Sequence, residues 1–74
     1  MFGNKITKTI SIEGMHCAHC VKRIEEALKD VKEVKSVKVN LENKNAEVVL
    51  KTDLDADVLK AVVEDIGFEV VSIQ

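Results

Sequence analysis

Ile10-Ser11-Ile12-Glu13-Gly14-Met15-His16-Cys17-Ala18-His19-Cys20-Val21-Lys22-Arg23-Ile24 is the stretch in which the hydrophobic period of the chain changes. Upstream of it, Lys5 to Ile12 is rich in β-branched residues and carries an even-numbered face of Ile6, Ile10 and Ile12 broken by Lys8, which predicts a strand. Glu13-Gly14-Met15-His16-Cys17 interrupts the alternation, and Gly14 supplies the backbone freedom a turn needs, so a loop is expected there. From Ala18 to about Val31 the apolar residues Val21, Ile24, Ala27, Leu28 and Val31 fall three or four apart, with Lys22, Arg23, Glu25, Glu26 and Lys29 on the other side. That spacing predicts an amphipathic helix.

Outward from this junction the pattern completes itself. Val34 starts a second strand in which Val37, Val39 and Leu41 alternate with Lys38 and Asn40. Glu42-Asn43-Lys44-Asn45 reads as a hairpin turn, because Asn tolerates left-handed backbone. Ala46, Val48 and Leu50 form the inward face of a third strand. Asp53 or Asp55 can cap a second helix with the apolar set Val58, Leu59, Val62, Val63 and Ile66, which Gly67 ends. Phe68 to Ile73 is the last strand. The order β-α-β-β-α-β, with right-handed crossovers, predicts an α+β ferredoxin-like sandwich: a four-stranded antiparallel sheet with both helices on one face.

The totals bound what such a chain can do. Seventy-four residues make a single domain spanning 1–74, too small for a large active-site cavity, so no enzymatic activity is expected. The apolar fraction is 46% with almost no aromatics, which assigns the core to Val, Ile and Leu. Eleven basic and thirteen acidic residues give a formal charge of −2, the wrong balance for a nucleic-acid binder. Met1-Phe2-Gly3-Asn4-Lys5 contains no uninterrupted apolar run, so neither a signal peptide nor a membrane span is expected, and a cytosolic location follows.

The chemistry sits at the strand-to-helix junction. Cys17 falls in the loop and Cys20 in the first helical turn, where free amide N–H groups and the positive end of the helix dipole favour thiolate over thiol. Two thiolates without other strong ligands suit a soft ion of low coordination number: Cu(I), with Hg(II) and Ag(I) on the same logic. A closed structural zinc site needs four ligands, and no second CxxC exists. A disulfide across two residues would constrain the unfolded chain little. Thiol redox chemistry is the main rival. Against it, the chain has no proline and cannot supply the cis-proline of a thioredoxin-like site. Attachment of c-type haem requires His after the second cysteine, where Val21 stands.

Gly14-Met15-His16-Cys17-Ala18-His19-Cys20 resembles the G-M-x-C-x-x-C signature of the heavy-metal-associated domain, found in copper chaperones and in amino-terminal domains of copper-exporting P-type ATPases. The resemblance extends through the element order to Glu64-Asp65-Ile66-Gly67-Phe68 at the end of helix two. It implies that Cys17 and Cys20 are ligands of Cu(I), that Gly14 and Met15 shape the loop, with Met15 packing inward, and that Phe68 lies beneath it. It also implies delivery of the ion to the metal-binding domain of a copper-transporting P-type ATPase. Relatives that handle Zn(II) or Cd(II) commonly carry Asp before the first cysteine; His16 stands there instead, which favours Cu(I). His16 and His19 are expected to be solvent-facing modulators rather than ligands. Lys22 and Arg23, extended by Lys29 and Lys32, read either as a solvated helix face or as a docking patch for an acidic partner. A monomer is expected, with a copper-bridged dimer left open.

Overall fold

A computed structural model describes residues 6–74, so the expected contribution of Lys5 to the first strand, and the reading of residues 1–5, lie outside the described residues. Within them the chain order is β1 (Ile6–Glu13), α1 (Ala18–Lys29), β2 (Val34–Asn40), β3 (Asn45–Leu50), α2 (Ala56–Asp65) and β4 (Glu69–Ile73). The four strands form one sheet in the order β2-β3-β1-β4, with every neighbouring pair antiparallel. This is the ferredoxin-like sandwich that the periodicity predicts.

Alternation decides which side of the sheet is buried. Ile10 and Ile12 of β1, and Ala46, Val48 and Leu50 of β3, all point into the helix layer and are almost wholly removed from water. Ile24 and Leu28 of α1 and Leu59 and Val63 of α2 close over them. Each of the Ile, Leu and Val side chains among them contributes about 1.5–3 kcal/mol by leaving water. α1 packs chiefly on β2 and α2 chiefly on β4, so the helices straddle the central strands. Lys8 keeps the inward register of β1 opposite Val48 but stays half-buried, its long stem suited to carrying the charge outward.

Several local features differ from the sequence reading. α1 ends at Lys29 with Asp30 as its C-cap, leaving Val31 in the connection. Leu41 is not the last inward residue of β2: the ladder closes with the pair Asn40–Asn45, β2 stops at Asn40, and Leu41 opens the turn at 37% exposure. The left-handed residue of that turn is Lys44 (φ 55°), not an Asn. Asn40 instead spends its side chain accepting a 2.9 Å bond from the Asn43 amide, and Asn45 already belongs to β3. Val58, expected among the apolar set of α2, is 40% exposed.

The last strand begins one residue later than expected, at Glu69, because α2 closes with a tight C-terminal motif. Gly67 takes φ +99°, its amide bonds to the Glu64 carbonyl, and the Phe68 amide bonds to the Val63 carbonyl. Val71 is an extra residue between the pairs Ile12–Val70 and Ser11–Ser72, and it bulges out at 59% exposure. Such a bulge blunts an edge strand against unwanted pairing.

Candidate metal centre

Antiparallel registers bring several chain segments to one end of the molecule. Glu13, the last residue of β1, stands opposite Glu69, the first of β4, while Ser11 pairs with Asn45 at the start of β3. The C-terminal end of β1, the hairpin tip, the C-terminus of α2 and the N-terminus of α1 therefore share this end. The opposed Glu13 and Glu69 carboxylates are a juxtaposition that one-dimensional patterns cannot show, since 56 residues separate them in sequence.

The loop from Gly14 to Cys17 is anchored from below. Gly14 adopts φ +97°, a conformation that L side chains rarely take, and Met15 is buried at 4% exposure in the main core. A Cβ built on Gly14 would stand 3.6 Å from Cδ1 of Phe68, so the ring of Phe68 lies against the loop at ordinary contact distance. Gly14 and Phe68 thus meet, and Met15 ties the same loop into the core. Nothing in the pattern of the loop itself reveals the third member; the C-terminal motif of α2 puts it there.

Cys17 is the N-cap of α1, with extended backbone (φ −156°, ψ 172°), and its carbonyl accepts the first helical bonds from the Cys20 and Val21 amides. No side chain caps this helix and no acidic residue occupies its first turn. The sulfur of Cys17 is exposed, that of Cys20 belongs to a half-buried residue packed against the core, and both are free thiols with Sγ atoms 3.8 Å apart. That separation is far beyond the about 2.05 Å of a disulfide. It is within the span of about 4.6 Å that two metal–sulfur bonds of about 2.3 Å can bridge.

Electrostatics favour the charged form at the exposed sulfur. The Cys20 amide lowers the Cys17 pKa most, followed by the His19 amide and then the Cys20 thiol, with a small opposing effect of desolvation. These amides do not meet full hydrogen-bond geometry to the sulfur; their dipoles act on it, with no side-chain oxygen capping the helix, although the Cys20 amide also reaches the Cys17 carbonyl. A preferred thiolate is the reactive and metal-binding state of cysteine.

His16 and His19 are both exposed, and among the described residues no group of three or more His, Cys, Asp and Glu side chains is placed to hold one ion. The two histidines thus flank the cysteines without converging on them. Lys22 and Arg23 are exposed on the first turns of α1, where they line a surface groove of about 500 Å³ with Ala18, His19 and Glu26. Lys29 continues this face and Lys32 lies beyond the helix end. No helix among the described residues is long and apolar enough to cross a membrane.

Comparison with known proteins agrees with this geometry. Residues 9–69 match the family model of the heavy-metal-associated domain. No curated relative matches the chain. Among solved structures, the CopZ metallochaperone is 34% identical, covering 89% of this chain and 100% of that one, with a TM-score of 0.83. A copper-binding domain of a P-type ATPase is 31% identical over 93% and 99% of the two chains, with a TM-score of 0.78. Oxidised MerP from Ralstonia metallidurans CH34 is 26% identical over 96% and 99%, with a TM-score of 0.84. With a family match over most of its length, the fold to go with it, and two free cysteines at the mouth of α1, this chain belongs to the heavy-metal-associated domain family.

Proposed function

We propose that this protein carries one Cu(I) ion between the thiolates of Cys17 and Cys20 and passes it to a similar site on a partner, as a carrier rather than an enzyme. The observation that carries the reading is the donor set: two sulfurs 3.8 Å apart, one exposed with a lowered pKa, and no third ligand within the described residues. Zn(II) prefers four donors in a tetrahedron, whereas soft monovalent copper is satisfied by thiolates at low coordination number. Likeness to a metallochaperone and to a P-type ATPase copper domain supports both the cargo and a copper-transporting ATPase of the cytosolic membrane face as recipient.

Transfer follows from exposure. A thiolate of the partner adds to copper to give a three-coordinate ion; the bond to one of the original sulfurs then breaks, and that sulfur leaves as thiolate or is protonated from solvent. Copper stays Cu(I) throughout. Lys22 and Arg23, beside the exchanging sulfurs, orient an acidic partner surface. Met15 and Phe68 keep the loop from collapsing between exchanges.

The test is retention under competition. Held anaerobically with a Cu(I) chelator, the wild-type chain should keep one equivalent, and Cys17→Ser or Cys20→Ser should each release it. Retention unchanged in both variants ends the proposal. Parallel titrations with Zn(II) and Hg(II) assign the cargo, since tighter binding of either over Cu(I) replaces copper in the reading.

A further inference from the structure

Lys44 stands in the connection between β2 and β3 with φ +55°, in the left-handed region where a Cβ crowds the backbone. Its backbone is held there from both sides: the Lys44 amide donates to the Leu41 carbonyl at 3.3 Å, and the Lys44 carbonyl accepts the Ile12 amide at 2.9 Å. Glycine or asparagine usually fills such a position, yet here lysine stands between Asn43 and Asn45. Packing does not account for the choice. Lys44 is exposed, and none of the side-chain hydrogen bonds among the described residues involves it. What lysine adds over glycine or asparagine is a positive charge.

Position says where that charge acts. The bond from the Ile12 amide ties the hairpin tip to β1 just before Gly14 opens the cysteine loop, so Lys44 belongs to the metal end of the molecule. The rest of that end is rich in carboxylates. Glu13 and Glu69 are exposed cross-strand partners, and Glu64 and Asp65 lie in the last turn of α2, which has no basic residue. Exchange of copper between thiolates meets this field directly. One Cu(I) with two thiolates is singly negative and with three is doubly negative, so the incoming sulfur brings negative charge towards an anionic centre. Lys22 and Arg23 offset the carboxylates from the α1 side, and Lys44 does so from the tip of the β2–β3 hairpin.

We infer that Lys44 is a steering residue for ligand exchange: the hairpin keeps it in the left-handed state so that its ammonium group stands at the metal end and draws an anionic thiolate past Glu13 and Glu69. The inference rests on the reading of Cys17 and Cys20 as a site that exchanges thiolates. Backbone strain at an exposed position is then the counterpart of a field needed for function, and removing it stabilises the fold while slowing the approach of anions. Lysine at this position acts on rate rather than on the grip of the two sulfurs, because it touches neither of them.

The experiment uses the metal-free, reduced full-length chain, alkylated at one pH by iodoacetate, which is anionic, and by iodoacetamide, which is neutral, with the rate at Cys17 followed by mass spectrometry. The ratio of the two rates cancels the thiolate fraction and reports the local field. At about 0.01 M ionic strength Lys44→Asn should lower the iodoacetate-to-iodoacetamide ratio about twofold, the effect of one unit charge across about 10 Å of water, and Lys44→Glu about fourfold. Lys44→Arg should leave the ratio unchanged, and at about 1 M salt all the differences should vanish. Stability should move the other way: Lys44→Gly should raise Tm by about 4 °C, because glycine takes this backbone without strain. A ratio that ignores the charge at position 44, or a Lys44→Gly chain that melts lower than wild type, overturns the inference. Copper retention is read separately, so a flat ratio with retention intact removes only the role of Lys44, whereas a wild type that fails to retain Cu(I) removes the carrier reading on which that role rests.

Discussion

α1 and α2 begin differently, and the difference explains why one helix start is a structural joint and the other a reactive site. α2 is entered through Asp55, whose carboxylate accepts the Asp57 amide at 3.0 Å, and Asp57 adds a second negative charge in the first turn. Its free amides and dipole are satisfied locally. α1 is entered through Cys17, with no side-chain cap and no acidic residue in the first turn. Its amide dipoles fall on sulfur and lower the pKa of that thiol. A helix start left without a side-chain oxygen cap is less stable by the worth of one cap, about 1 kcal/mol, and gains a thiol of lowered pKa in exchange.

The comparison breaks most completely if α1 is given the entry of α2. Cys17→Asp replaces sulfur by a carboxylate at a residue whose extended backbone already suits an N-cap. Copper retention should be lost entirely, since a hard carboxylate with one remaining thiolate is a poor site for a soft ion. At the same time the metal-free fold should gain about 0.5–2 kcal/mol. Chelator competition and thermal melts on the same sample check both halves. A variant that loses copper and also melts lower would show that Cys17, not the missing cap, stabilises this end.

The reverse alteration is smaller. Asp55→Ala removes the cap of α2 and should cost about 1 kcal/mol, a fall of about 4–8 °C in Tm for a domain this size. Copper affinity should not change, because α2 reaches the metal end only through its C-terminus and Phe68. A drop in affinity beyond about twofold, on a scale where 1.4 kcal/mol is tenfold, would mean that the two helix starts are coupled through the core.

What the sequence disclosed follows the same division between local and non-local physics. The cysteine pair, Gly14 and the inward faces Ile10, Ile12 and Ala46, Val48, Leu50 are legible because period and spacing within ten residues determine them. Asp55 as cap was one of two local options, and the amide of Asp57 decides between them. Leu41 and Lys44 escaped because the pairing of Asn40 with Asn45 and the length of the hairpin, not propensity, set where the strand stops and which residue turns left-handed. The Glu13–Glu69 pair is invisible until the antiparallel topology fixes the register of β4 on β1. Exposure of Val58 is also beyond the apolar pattern, which counts it with the core although it faces the groove of α2.

The smallest effect tests the physical link itself, between uncapped amides and the sulfur. Because folding lowers the Cys17 pKa, the unfolded chain binds more protons than the folded one between the two values. Stability therefore rises with pH across that window; the contribution is complete above the unfolded value and is lost as pH falls through the folded one. Cys17→Ser should remove this slope, which melts at a series of pH values with and without the substitution can read. Alkylation resolved by mass spectrometry gives the site directly: the rate at Cys17 should reach half its plateau at a lower pH in the folded chain than in the same chain unfolded by urea. Coincident midpoints would mean that the donors at the start of α1 do not act on sulfur, and the contrast with Asp55 would then be one of sequence without consequence for charge.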